Sequence, residues 1–184
     1  ILLSVENAGY SINDRKIFSD MHFAVKRNSI TTIIGRNGCG KTTLFNAINN
    51  EIKTDRGIIS VKPGTRISYL KQIPENTVGN IMHMLENRKT DIRKFTYVMN
   101  YLGYAGNILD KQYELLSDGE RKKVEIAVSL CSDADLYIWD EPLNYLDIET
   151  REKIELLLME KPAMLICEHD RRFIENISDE TIEM

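Results

Sequence analysis

The hydrophobic positions of the chain follow two different periods. Short runs such as the β-branched 30–34 and the apolar 136–139 are typical of buried strands. Between residues 78 and about 130 the apolar positions recur every three or four residues, which is typical of amphipathic helices. Elsewhere strand and helix patterns alternate, and this favours an α/β fold with a mostly parallel core sheet.

The pattern also predicts where the elements lie. Two strands at the N-terminus, 2–8 and 16–25, flank a polar turn at Asn13 and Asp14, which predicts antiparallel β-strands there. The helical block from 78 to 130 interrupts the strands, and we interpret it as a small subdomain within one domain spanning 1–184. The other predicted strands are 30–34, 58–61, 66–70, 136–139, 163–167 and 180–184, and the other helices are 41–49, 150–159 and 171–177.

Composition narrows the function classes. The 184 residues carry a net charge of -4, which does not favour a surface that broadly coats nucleic acid. The three cysteines are far apart in sequence and lack metal-ligand spacing, so a reducing, cytoplasmic compartment is expected. No apolar run approaches the roughly 20 residues of a membrane span, so no direct membrane insertion is expected. The first residue is not Met, which is compatible with the chain being a piece of a longer one.

A glycine-rich segment between a predicted strand and a predicted helix fits the phosphate-binding pattern G-x-x-x-x-G-K-[ST]. Its glycines allow several backbone N–H groups to point inward, and the following helix N-terminus favours an anion. Lys41 can reach the β- and γ-phosphates of ATP, and the Thr42 hydroxyl can hold Mg²⁺. The segment predicted to bind nucleotide is Gly35, Arg36, Asn37, Gly38, Cys39, Gly40, Lys41, Thr42 and Thr43.

Two acids follow the apolar run 136–139. Buried strands rarely end in adjacent carboxylates, because removing them from water is costly. Asp140 is predicted to support Mg²⁺, and Glu141 to orient or deprotonate the attacking water. Without the phosphate-binding segment, a strand running out into a solvated acidic turn would be an equally good interpretation.

Together these motifs resemble the ATP-binding domain of ABC ATPases, in the correct order over nearly the whole chain. The segment 116–120 (LSDGE) resembles the signature motif, 140–142 with 144–147 resembles the Walker B segment and D-loop, and 167–170 resembles the switch-histidine segment. Gln72 resembles the Q-loop glutamine, and Tyr10 has the position of the aromatic residue that stacks on adenine. The resemblance therefore implies a P-loop NTPase that binds ATP and Mg²⁺ and hydrolyses ATP.

The resemblance also implies a role for each matching residue. Gln72 would touch Mg²⁺ or the attacking water, and His169 would contact the γ-phosphate and hold Glu141 in place. Ser117, Gly119 and Glu120 belong to the signature motif, which in this family contacts the phosphate held by a partner domain. The working unit would then be two ABC ATPase domains arranged head to tail, in one longer chain or as a homodimer.

Three positions depart from the common family pattern. Asp118 replaces the first signature glycine and brings a carboxylate near an expected phosphate site. Cys39 stands where a small Ser or Ala is common, and Tyr145 replaces a frequent His of the D-loop. None of these departures removes a catalytic group.

Two branches of the family remain open. One is the nucleotide-binding subunit of an ABC membrane transporter; the other is the soluble ABC-F class, which acts on the ribosome as a translation factor or in antibiotic resistance. The short segment between Gln72 and Ser117, together with the segments 120–123, 144–150 and 169–174, resembles the antibiotic-resistance ABC-F proteins, and in particular their second ATPase domain. An SMC-like ATPase is disfavoured because no coiled-coil heptads interrupt the chain.

Overall fold

Two β-sheets form the frame of the molecule in the computed structural model, which describes residues 1–72, 77–160 and 162–184. The first sheet is antiparallel with the order β2–β1–β4. Its strands are β1 (Leu3–Ile12), β2 (Arg15–Val25) and β4 (Arg56–Val61). The N-terminal antiparallel strands predicted from the sequence are therefore confirmed.

The hairpin between β1 and β2 is longer than its apolar pattern predicted. Pairing continues to Ile12 opposite Arg15, which leaves only Asn13 and Asp14 in the turn. Both turn residues have positive φ, 47° and 62°, as a two-residue hairpin turn requires. The exposed end of the hairpin has no alternating apolar face, so the sequence pattern predicted strand 2–8 and missed the last four residues.

The second sheet contains five parallel strands in the order β5–β6–β7–β3–β8. It confirms the predicted α/β class and the parallel core sheet. In open sheets of this kind, ligands bind beyond the carboxyl ends of the strands. The strands are β3 (Ile30–Ile34), β5 (Ile67–Leu70), β6 (Leu136–Asp140), β7 (Met164–Cys167) and β8 (Glu180–Glu183).

Six α-helices and a short 3-10 helix (Tyr113–Leu115) complete the described residues. The predicted helical block contains three of the α-helices. None of the helices in the described ranges is long and apolar enough to cross a membrane. The α-helices are α1 (Lys41–Ile48), α2 (Ile81–Asn87), α3 (Ile92–Tyr101), α4 (Asp118–Cys131), α5 (Ile148–Leu158) and α6 (Arg171–Ile177).

The two faces of the parallel sheet are buried in two separate cores, because successive side chains of a strand point to opposite faces. On β6, Leu136 and Ile138 pack into the core that includes the antiparallel sheet and α1. Trp139 packs into the other core, among residues of α2 to α6. Its indole Nε1 donates a hydrogen bond to Ser129 Oγ on α4 at 2.9 Å, so β6 and α4 are joined beside the strand end that carries Asp140.

Candidate functional site

The loop between β3 and α1 holds its lysine against the backbone. Lys41 Nζ donates hydrogen bonds to the carbonyl oxygens of Gly35 at 2.8 Å and Arg36 at 3.0 Å, and Lys41 is only 5% exposed. A buried ammonium needs such acceptors. The Lys41 ammonium is therefore held at the loop backbone, and we expect it to exchange these carbonyl oxygens for phosphate oxygens when nucleotide binds.

The helix that follows this loop begins without a cap. Among the α-helices in the described part of the chain, α1 alone has no side chain that accepts from its first N–H groups. Its N-cap residue is Gly40, at φ 106°, where a Cβ would approach Ile17 Cγ2 to 2.8 Å. Free N–H groups and the helix dipole together make this terminus suited to an anion.

The other predicted loop residues surround this terminus. Arg36, Asn37 and Gly38 are exposed, and Cys39 and Thr43 are half-buried. Cys39 Sγ lies 2.8 Å from where a Cβ on Gly35 would sit, so the loop is tight at its base. Their contacts with nucleotide remain predictions.

Thr42 and Asp140 meet across the sheet edge. Thr42 Oγ1 donates to Asp140 Oδ2 at 2.7 Å, which joins the start of α1 to the end of β6. Asp140 is 1% exposed, and burial raises the pKa of this carboxyl above its usual value, opposed by the Thr42 hydrogen bond and helped by the neighbouring Glu141. Asp140 Oδ1 is buried and has no hydrogen-bond partner among the described residues.

These two residues fit the Mg²⁺ that the family implies. A hydroxyl and a carboxylate are the hard oxygen ligands that Mg²⁺ prefers, and a buried carboxylate oxygen without a hydrogen-bond partner is suited to a cation. The ligating atoms of Asp140, Glu141 and Cys167 also lie within 4.8 Å of one another. Cys167 is fully buried and burial raises the pKa of its thiol, so it stays a neutral neighbour of Asp140.

Glu141 is the centre of a polar cluster formed by separate parts of the chain. Its Oε2 accepts hydrogen bonds from Gln72 Nε2 and from Asn144 Nδ2, both at 2.7 Å. His169 Nε2 lies 3.5 Å from Glu141 Oε1. Glu141 itself has φ 49°, a backbone conformation that is costly for a side chain of this kind and is concentrated at functional sites. The structure thus brings together three residues that the sequence singled out separately: Gln72, Glu141 and His169.

Two further residues hold this cluster in shape. Asn144 shares the Glu141 carboxylate with Gln72. Glu168, 5% exposed, accepts from the backbone N–H of Leu143 at 3.2 Å and from that of His169 at 2.8 Å. It therefore ties the segment after Glu141 to the segment that carries His169. Sequence reasoning included both residues in motifs but gave neither a role; an acid directly after the apolar run 163–167 was the available signal.

The signature segment begins α4 with a complete capping box. Ser117 Oγ accepts from Glu120 N at 3.3 Å, and Glu120 Oε2 accepts from both Ser117 N and Ser117 Oγ at 2.8 Å. Gly119 lies against the D-loop, since a Cβ there would approach Tyr145 O to 2.9 Å. Glu120 thus has a clear structural role as a cap, and nucleotide contacts of Ser117, Gly119 and Glu120 remain predictions.

Tyr10 lies on β1 opposite Phe18 of β2, and the two ring centroids are 6.3 Å apart. The neighbour of Phe18, Ile17, packs against Gly40 of the phosphate-binding loop. The hairpin that carries Tyr10 therefore adjoins this loop, as adenine stacking would need. Stacking itself remains a prediction.

The fold and this site define an ATP-binding domain of the P-loop class. A family model described as ABC transporter matches residues 18–144, which is more than half of the chain. The chain therefore belongs to this ABC family, as the sequence motifs predicted.

Curated relatives match nearly the whole chain. The Energy-dependent translational throttle protein EttA of Mycobacterium tuberculosis is 30% identical over 95% of this chain and 33% of its own length. The Ribosome protection protein VmlR of Bacillus subtilis is 31% identical over 96% of this chain and 33% of its own length. The chain thus spans about a third of the length of these relatives, and they support the resemblance to the ABC-F class.

A solved structure described as the ATP binding subunit of an ABC transporter shares the fold. Its TM-score is 0.83 at 21% identity, covering 100% of this chain and 86% of that one. At this identity the similarity establishes the fold alone, and it does not distinguish a transporter subunit from an ABC-F protein.

Proposed function

We propose that this chain binds ATP with Mg²⁺ and hydrolyses it, after closing head to tail with a second ABC domain. The observation that carries the proposal is the convergence of Gln72, Asn144 and His169 on the carboxylate of Glu141. Glu141 lies directly after Asp140, which is bonded to Thr42 at the start of α1. A base for water and a site for phosphate therefore adjoin each other.

Each residue has a defined task in this proposal. Lys41 and the free N–H groups of α1 bind the phosphates, and Tyr10 stacks on the adenine. Thr42 and Asp140 hold Mg²⁺, with Gln72 as a further contact; when bound, the ion neutralises phosphate charge. Glu141 takes a proton from the attacking water or orients that water. His169 contacts both Glu141 and the γ-phosphate and keeps the two in position relative to each other.

Exposed apolar side chains support the need for a second domain. Tyr145 and Ile148, which flank Asp147 of the D-loop, are each 70% exposed, and Leu115 just before the signature segment is 79% exposed. Large apolar side chains exposed around one functional region are typical of surfaces that bind another protein. In the proposed assembly these residues adjoin the partner domain, and Ser117 and Gly119 face the phosphate bound there.

The substitution Glu141→Gln tests the chemistry. The amide keeps the size of the side chain but loses the base, so ATP should still bind while single-turnover hydrolysis slows by about 10²-fold or more. Glu86→Gln, on an exposed face of α2, is the matched control and should hydrolyse normally. Hydrolysis at the normal rate in Glu141→Gln would remove Glu141 from the mechanism.

The same assay tests assembly. If two domains form the site, the hydrolysis rate per chain must rise with protein concentration, or with an added partner domain. A rate per chain that stays constant on dilution to the monomer would contradict the head-to-tail arrangement.

We further propose that the protein acts on the ribosome, in the manner of the ABC-F class, and works in the cytoplasm. Two observations favour this over a nucleotide-binding subunit of an ABC membrane transporter. The relatives named above include a translational throttle protein and a ribosome protection protein. Between Gln72 and the signature segment, the described residues contain only two short α-helices, α2 and α3, which offer little surface to a membrane subunit.

ATP would act by shifting a population of states. Closing two domains on ATP creates a form that fits the ribosome, and hydrolysis returns the open form that leaves it. We expect Glu141→Gln to co-sediment with ribosomes through a sucrose cushion with ATP but not without it, and Lys41→Ala to fail in both conditions. Recovery of the protein only in membranes, together with a multi-span partner, would favour the transporter subunit instead.

A further inference from the structure

Lys122 has an unusual position for a charged side chain. It lies in the second turn of α4 and is only 2% exposed. Its Nζ donates to the carbonyl oxygen of Gln72 at 3.2 Å, and no other hydrogen-bond acceptor for it exists among the described residues. The bond joins two segments 50 positions apart in sequence.

The surroundings of Lys122 are acidic but supply no close ion pair. Burial lowers the pKa of Lys122, and the negative charges of nearby carboxylates oppose that effect. These carboxylates are Asp140, Glu125, Glu141 and Glu168. None of them forms a salt bridge with Lys122 in the described parts of the chain. The field of the carboxylates thus offsets only part of the cost of burying the charge, and the directional contact of the ammonium goes to one carbonyl, that of Gln72.

That carbonyl belongs to the residue whose side chain holds Glu141. Gln72 Nε2 donates to Glu141 Oε2 at 2.7 Å, so the backbone of Gln72 is fixed by α4 and its side chain by the predicted base. At the other end, α4 begins at the signature segment, where Gly119 lies against Tyr145 O. A continuous path of contacts therefore runs from the signature segment through Lys122 and Gln72 to Glu141.

We propose that Lys122 is a positioning residue that couples the signature segment to Glu141 through Gln72. The inference rests on the proposed function, because the signature segment meets the phosphate of a second domain there. A helix is stiff over one turn, so a shift at Ser117 on contact with that phosphate moves Lys122 with it. Through its hydrogen bond, Lys122 then shifts the backbone of Gln72. This shift changes the geometry of the hydrogen bond from the Gln72 side chain to the Glu141 carboxylate. The hydrolytic site at Glu141 of this chain would thus respond to nucleotide bound by the partner domain.

A double-mutant cycle isolates this path, since contiguity alone does not demonstrate coupling. Single-turnover hydrolysis of ATP-Mg²⁺ is measured, with the chain in molar excess, for the unsubstituted chain, Lys122→Met, Gln72→Ala and the double variant. Binding of a fluorescent ATP analogue and thermal unfolding are measured on the same samples. Lys62→Met is the matched control, because Lys62 is exposed and lies directly after β4.

We expect Lys122→Met to slow hydrolysis by about tenfold and to change analogue affinity by less than about twofold. In the Gln72→Ala background the same substitution should cost less than about twofold, because the side chain through which it acts is gone. Lys122→Arg keeps a charged donor and should retain most of the rate. If Lys122→Met lacks a cooperative unfolding transition, Lys122→Gln replaces it in the cycle.

Different results would contradict the positioning role of Lys122 and the proposed role of Gln72. Equal slowing by Lys122→Met in both backgrounds would overturn the positioning role and leave the proposed function intact, as would an unchanged rate in Lys122→Met alone. An unchanged rate in Gln72→Ala alone would remove both the coupling path and the proposed role of Gln72.

Discussion

The chain has two helix N-termini at which phosphate is predicted to bind, and they are built in opposite ways. The start of α1 has no side-chain cap and no acid in its first turn, whereas the start of α4 has a full capping box and two acids, Asp118 and Glu120. An uncapped terminus is satisfied by a ligand, and a capped one satisfies itself. We therefore expect the first terminus to bind ATP in the single chain, and the second to contact a phosphate only when a partner domain is present.

This contrast predicts a very unequal response to substitution. Lys41→Ala removes the cation beside the open terminus and should weaken ATP binding by about 30-fold or more, equivalent to about 2 kcal/mol for a lost charge-assisted hydrogen bond. Ser117→Ala, at the capped terminus, should leave the affinity of the separate chain for ATP unchanged. Titration with a fluorescent ATP analogue measures both. Similar losses in the two variants would mean that both termini contact the nucleotide bound by the separate chain, contrary to the difference in their caps.

Asp118 allows a second test of the difference between the two helix N-termini, because it gives the capped terminus of α4 a negative charge that α1 lacks. Its side chain is 66% exposed and its Oδ1 lies 3.8 Å from Arg121 Nη1, so its repulsion toward an incoming phosphate is worth at most roughly 1 kcal/mol. In a Glu141→Gln background, Asp118→Asn should therefore tighten ATP-dependent association of two chains by about fivefold. Sedimentation at several protein concentrations measures this, and Glu86→Gln serves as the control. Weaker association would show that Asp118 helps the contact.

The smallest effect concerns the capping box itself. Hydrogen bonds from Ser117 hold the pKa of Glu120 below its usual value. Because the folded pKa is the lower one, Glu120 stabilises the fold fully above the unfolded pKa of about 4.3, and this stability is lost as pH falls through the folded pKa. Glu120→Ala should cost about 0.3–1 kcal/mol at pH 7, and its difference from the unsubstituted chain should shrink in acid, where the carboxyl loses its charge.

Chemical denaturation at pH 7 and below pH 4 measures that difference. Glu120→Gln keeps a hydrogen-bond acceptor but loses the charge, so at pH 7 its stability should lie between that of Glu120→Ala and that of the unsubstituted chain. A cost of Glu120→Ala that is the same at both pH values would show that the ionised carboxylate contributes nothing to the cap.

The sequence predicted the fold well, because the information was local. The β-branched run, the turn at Asn13 and Asp14, and the spacing of the helical block each depend on neighbouring residues. The parallel sheet, the antiparallel hairpin and the helices α2 to α4 confirmed them in turn. The candidate site was predictable only as a set of motif positions. The family resemblance already implied that His169 holds Glu141, and the structure places the two side chains 3.5 Å apart. The hydrogen bond from Gln72 to the same carboxylate became visible only in the folded chain.

What the sequence could not provide was burial and contact between distant segments. Lys122 reads as one of three consecutive basic residues, 121–123, on what looks like a solvated helix face, yet it is the buried one. Glu120 was grouped with the phosphate-contacting residues, although Ser117 three positions before it is the pattern of a capping box. Glu168 holds the site together by accepting a hydrogen bond from the backbone of Leu143, 25 positions away in sequence. No local sequence pattern predicts such a contact.

The buried indole described with the fold gives the chain a built-in optical label. Trp139 is the only tryptophan in the sequence, it is adjacent to Asp140, and its N–H is bonded to Ser129 of α4. Its emission therefore arises from a single environment, shared by the strand that ends in the acids and the helix that begins at the signature segment. Stopped-flow mixing with ATP-Mg²⁺ can follow that environment in time without any dye, and removal of the hydrogen bond in Ser129→Ala identifies the part of the signal that belongs to the contact between β6 and α4.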